Sequence, residues 1–173
     1  AAVARKTLGE MPDKVVVEAS GSIIKNVKSV IVPNTGHLKG INAAAAAGIV
    51  AGDPDKKLEV IATVSQEQIR QMKQFMEEVP IQVVHMEDGC TFDIIVTVFS
   101  GKSYAKVRIA NFHTNIVLIE KNGEVLKSEA VSDDSEEGLT DRTLLDMEHI
   151  WDFAMTADID DVKALLDQQV AFN

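Results

Sequence analysis

Residues 81–126 read IQVVHMEDGCTFDIIVTVFSGKSYAKVRIANFHTNIVLIEKNGEVL. Within them, residues 81–85, 91–99, 103–109 and 114–120 are rich in β-branched and aromatic side chains and carry the period of strands. Glu87-Asp88-Gly89, Ser100-Gly101-Lys102 and Lys121-Asn122-Gly123 are turn signals between them, and Glu124-Val125-Leu126 closes the last hairpin. Consecutive hairpins predict an antiparallel sheet. With helices packed on one side of it, the fold class is α+β and not a doubly wound nucleotide fold.

The helices come from both flanks. Upstream, Ser65-Gln66-Glu67-Gln68 is a capping box that opens a helix to about Glu78, with Ile69, Met72, Phe75 and Met76 at helical spacing. These side chains read as core packing, and the helix is expected to cover one face of the sheet. Residues 58–63 are an apolar run of undecided type. Residues 1–9 have the composition of a helix that stops at Gly9, and Met11-Pro12-Asp13 turns into a buried strand over residues 14–19. Downstream, residues 128–141 carry Glu129, Asp133, Asp134, Glu136, Glu137 and Asp141 with no basic residue. This is a solvated loop or linker, since the calcium-loop spacing D-x-D-x-D-G is absent. Residues 143–155 and 159–169 return to helical periodicity, with Asp158 as a cap. Their apolar faces, Leu144, Leu145, Ile150, Trp151, Phe153 and Leu165 among them, suit a second domain. The expected division is therefore 1–140, an α+β domain, and 141–173, a helical segment.

Composition narrows the function. The 173 residues are 46% hydrophobic, enough for a substantial core. No apolar run reaches the length of a membrane span, so a soluble cytoplasmic protein with no membrane partner is expected. The net charge of −10 and pI near 4.8 argue against nucleic acid, whose phosphates require clustered Lys and Arg. GxxxxGK[ST], GxGxxG and the nucleophile elbow are all absent. The single cysteine, Cys90, excludes an internal disulfide and cannot hold a metal cluster alone.

The candidate site lies over residues 20–40, SGSIIKNVKSVIVPNTGHLKG, a loop between the first strand and an alanine-rich helix that has Asn42 as its N-cap. A helix N-terminus favours carboxylates and phosphates. Gly36 and Gly40 let the backbone approach a ligand closely. Lys25, Lys28 and Lys39 make the loop locally positive, although Lys28 reads best as solvated. Asn26, Thr35 and Asn115 supply neutral hydrogen bonds for a polar substrate. Of the histidines, His85 and His149 look structural, while His37 and His113 stand out by context.

Four blocks in this order, Val17-Glu18-Ala19-Ser20-Gly21-Ser22-Ile23-Ile24-Lys25-Asn26, Val32-Pro33-Asn34-Thr35-Gly36, the small-residue helix over 40–52 and His113-Thr114-Asn115-Ile116-Val117-Leu118-Ile119-Glu120, resemble the L-cysteine desulfidase family, relatives of the iron–sulfur L-serine dehydratases. The chain departs from the family at Asn34, where glycine is usual, and at Asn42, where proline is usual. Asn tolerates left-handed backbone, so Asn34 is an acceptable exchange.

The resemblance implies a sheet domain similar to the beta, allosteric-substrate-binding-like domain of iron–sulfur serine dehydratases. It implies that the intact protein converts L-cysteine to sulfide, pyruvate and ammonia, or L-serine to pyruvate and ammonia. A 4Fe-4S cluster held in a later catalytic domain would act as Lewis acid, and a catalytic cysteine in a Gly-Cys-Thr-Glu-Pro segment would stand just before the first helix. Neither is in these residues, so the chain reads as a fragment, inactive alone, that closes over the substrate, with residues 141–173 opening a truncated catalytic domain. The implied substrate-binding set is Lys25, Asn26, Asn34, Thr35, Gly36, Lys39, Gly40, His113, Thr114 and Asn115, with no catalytic or metal-binding residue in the chain. The implied partner is a small amino acid, and a homodimer is compatible with it. The rival reading is an amino-acid sensor or binding module of the same fold.

Overall fold

The computed structural model describes residues 1–131, 143 and 145–172. The chain divides into two compact units, Ala1–Asp133 and Asp134–Asn173. The first contains helix α1 (Ala2–Leu8), strand β1 (Lys14–Ser20), helices α2 (Gly21–Val27) and α3 (Gly40–Val50), a 3-10 segment (Pro54–Glu59) and helix α4 (Gln66–Glu78). Strands β2 (Ile81–Met86), β3 (Asp93–Ser100), β4 (Ser103–Ala110), β5 (Ile116–Lys121) and β6 (Glu124–Ser128) follow.

Among the described residues these strands form a six-stranded sheet in the order β2-β1-β3-β4-β5-β6. The pairs from β3 to β6 are antiparallel, as the hairpin signals predict, and β1 also lies antiparallel to β3. The exception is β2, which pairs parallel with β1, Val15 beside Ile81 through Ser20 beside Met86. Residues 87–92 are thus not a hairpin turn: they carry the chain from β2 past the end of β1 to β3. A parallel neighbour needs a long crossover, and the chain from α2 to α4 supplies it. The sheet is mixed and the class is α+β.

Alternation decides which face is buried. Val15 and Val17 of β1, Val96 and Val98 of β3, and Ala105 and Val107 of β4 meet Ala4 and Leu8 of α1 and Ala45, Ala46 and Ile49 of α3 in one core. Alanines let α3 lie close to the strands. The helix capped by Ser65 sits one layer further out. The capping box is present, Gln68 N–H donating to Ser65 Oγ at 3.2 Å and Ser65 N–H to Gln68 Oε1 at 2.9 Å. From α4, Phe75 enters the main core and Met76 packs against it, whereas Met72 joins Val32, Ala43 and Ala47 in a second cluster. The expectation that this helix lies directly on the sheet is therefore corrected: α1 and α3 take that place.

Two further local expectations change. The segment 20–40 is not all loop, because residues 21–27 form α2. Asn42 lies inside α3, whose N-cap position is Lys39 and has no side-chain cap. In the second unit, helix α5 (Met147–Thr156) is capped by Asp146, which accepts the His149 N–H at 2.8 Å. Helix α6 (Ile159–Phe172) opens with Asp158 accepting the Asp160 N–H at 3.0 Å. Trp151 remains 69% exposed there. The expected boundary at 140/141, Leu144 and most of the acidic run lie outside the described residues. Among those described, no helix is long and apolar enough to cross a membrane.

Candidate functional site

The loop that follows α2 is a packed hairpin. Val32 N–H donates to the Leu38 carbonyl at 2.9 Å, Gly40 N–H to Val30 at 3.0 Å, and Ile31 bridges Lys39. Its tip turns through left-handed backbone at Asn34, Gly36 and His37, with φ of 60°, 66° and 69°. Thr35, wholly buried, donates its hydroxyl to the Val32 carbonyl at 2.7 Å. Asn34 Nδ2 donates to the Ile61 carbonyl at 3.0 Å. A Cβ on Gly36 would stand 3.2 Å from Ile69 Cγ2, and one on Gly40 3.0 Å from the Lys28 carbonyl oxygen. The amide and hydroxyl side chains of the tip are thus engaged in holding its shape. Lys25 and Asn26, on α2, and Lys39 are exposed.

The other motif block, 113–115, lies in the loop joining β4 to β5. Asn115 Nδ2 donates to the Ala110 carbonyl at 3.0 Å, and the His113 ring packs on Phe92 with centroids 4.4 Å apart. His113 and Thr114 line a cavity of about 350 Å3, a size suited to a small-molecule ligand. Its walls come from the strand ends (Phe92, Ile94, Val107, Ile109, Ile116), from Ala1 to Val3, from Ala44 and Gly48 of α3, and from Pro54, Lys57, Leu58 and Val60. None of the residues expected over 25–40 contributes to this lining. The structure brings His113 and Thr114 to the cavity and leaves the hairpin residues in a separate packed element.

At the same end of the strands, Asp93 is fully buried and bridges Arg108, with Nε at 3.0 Å from Oδ1 and Nη2 at 2.6 Å from Oδ2. The Cys90 sulfur lies 3.4 Å from Asp93 Oδ2. Burial pushes the Cys90 thiol up, and the hydrogen bond and negative charge of Asp93 push it further. The bridge with Asp93 raises Arg108 as well. Ser20 ties β1 to this corner by donating to the Thr91 carbonyl at 2.7 Å, and a Cβ on Gly21 would stand 3.1 Å from His85 Nε2. The Ser-Gly of the first motif block therefore has a packing reason. No group of three His, Cys, Asp or Glu side chains among the described residues is arranged to hold a metal. With one cysteine, this chain does not fit a 4Fe-4S cluster, which takes four thiolates.

Phe92 and Lys57 carry no sequence motif, and period alone reads Phe92 and Ile94 as ordinary strand residues; the small residues of α3 belong to a motif block, but nothing in it points to this cavity. The fold and this cavity define an α+β domain with an apolar, partly polar ligand-sized site. In sequence the chain is similar to UPF0597 proteins: 52% identical over its full length to one from Desulfitobacterium hafniense, 40% over 99% of it to one from Lachnoclostridium phytofermentans, and 39% over its full length to one from Treponema denticola. It spans about 40% of the length of each of these relatives. No family model and no solved structure matches it.

Proposed function

We propose that this chain is the substrate-closing part of a lyase that releases sulfide from L-cysteine, or water from L-serine, with pyruvate and ammonia as products. One observation carries the reading: Ala1, at the start of α1, lines the same cavity as His113 and Thr114. In the family the chain resembles, the segment with the catalytic cysteine stands immediately before this helix. That segment would then meet the substrate where the His-Thr-Asn block forms the wall. The remaining length of the relatives leaves room for a domain carrying the iron–sulfur cluster, whose chemistry is that of a Lewis acid toward the leaving group.

The residues of this chain would bind and enclose. Phe92, Ile94, Ile109 and Ile116 exclude water, which strengthens each polar contact inside. The His113 imidazole and Thr114 hydroxyl offer hydrogen bonds to the amino acid. The site would work in the cytoplasm. The test is sulfide and pyruvate release by the full-length protein, cluster-reconstituted and anaerobic. His113→Ala and Thr114→Val should each lower kcat/KM at least about tenfold, roughly 1.4 kcal/mol of transition-state stabilisation. A reconstituted protein that binds either amino acid without turnover would instead be a sensor.

A further inference from the structure

We infer that Lys57 is the carboxylate anchor of this cavity, a role that rests on the lyase reading of the site but is testable apart from it. Lys57 is the lysine among the residues that line this cavity, whose other walls include Phe92, Ile94 and Ile109. A carboxylate placed there leaves the rest of a small amino acid or 2-oxo acid to face His113 and Thr114. Lys57 is itself exposed, so it meets the ligand from the rim of the cavity, where an ammonium donates a charge-assisted hydrogen bond to a carboxylate.

The backbone supports the assignment. Lys57 interrupts the 3-10 segment at φ 50°, ψ −111°, a conformation that favours glycine. The strain is carried at a residue that lines the cavity, as backbone outliers at ligand sites are. The neighbouring lysines are engaged: Lys6 pairs with Asp55 at 2.9 Å, and Lys56 donates to Thr63 Oγ1 at 3.4 Å. Among the described residues Lys57 shows no acidic partner, in a chain of net charge −10.

The experiment is a calorimetric titration of the full-length protein with pyruvate and, separately, with pyruvamide, alongside steady-state kinetics. Wild type should bind pyruvate and discriminate against the neutral amide. Lys57→Gln should weaken pyruvate at least about tenfold and raise KM for the amino acid by a similar factor with kcat nearly unchanged, as loss of a charged hydrogen bond requires. Lys57→Arg should retain part of the affinity. Lys57→Gly should raise the melting temperature by relieving the backbone while losing pyruvate; a lysine of purely structural use would give the melting shift alone. Absence of pyruvate binding, equal affinity for the amide, or unchanged affinity in Lys57→Gln would overturn the proposal. Pyruvate binding that depends on Lys57 in a protein without turnover would sink the lyase reading and leave the anchor standing.

Discussion

Asp93 at the start of β3 and Arg108 near the end of β4 are diagonal neighbours across the antiparallel pair, and both Asp93 oxygens accept from the guanidinium. The carboxylate is wholly buried, while the Arg108 side chain stays 29% exposed. Removing the arginine strands a charge away from water. Arg108→Met should cost about 3–5 kcal/mol in urea unfolding, and the double change Asp93→Leu with Arg108→Met should recover much of it. A loss below about 1 kcal/mol for the single change would show that water reaches the carboxylate.

Cys90 sits against that carboxylate, so its thiolate is disfavoured both by burial and by Asp93. Its alkylation by iodoacetamide should lag behind a free thiol at pH 8 and still be rising above pH 9, the ordinary value for the group. Unfolding in urea should abolish the lag. Alkylation at the rate of glutathione in the folded protein would contradict the geometry.

The hairpin tip separates two kinds of left-handed residue. Gly36→Ala adds a Cβ at positive φ and 3.2 Å from Ile69, and should destabilise by about 1–2 kcal/mol. Asn34→Gly relieves its backbone but gives up the bond to Ile61, so the two effects offset and the melting temperature should move little. Equal losses at both positions would mean that side-chain bonding, not backbone, holds the turn.

Asp146 caps α5, and the His149 N–H, then the His149 ring, hold its carboxyl below the ordinary value of 3.8. A depressed carboxylate stabilises fully above its unfolded value and loses that contribution as pH falls through the lower folded one. Amide protection at His149 and Ile150 should therefore be level from pH 7 to about 5 and drop below 3.8. Asp146→Asn, which keeps an acceptor but not the charge, should flatten that drop.

The hairpins from β3 to β6, the capping box at Ser65, the stop at Gly9 and the cap at Asp158 were legible in the sequence, because each depends on residues within a few positions of one another. So was the burial of Met72 and Phe75, which follows from helical period. Two motif blocks could be marked for attention, but their roles could not be told apart. Thr35 and His113 look alike as polar loop residues; one is buried against its own backbone and the other lines a cavity.

What the sequence by itself determined is most of the local elements and the α+β class, since period, caps and turn residues act over short range; α2, inside the segment read as a loop, escaped it. What only the tertiary structure decided is that β1 enters between β2 and β3, that α1 and α3 and not α4 lie on the sheet, and that Lys57, Phe92 and His113 line one cavity. These depend on which apolar faces find each other across a long crossover, and no local pattern encodes that choice.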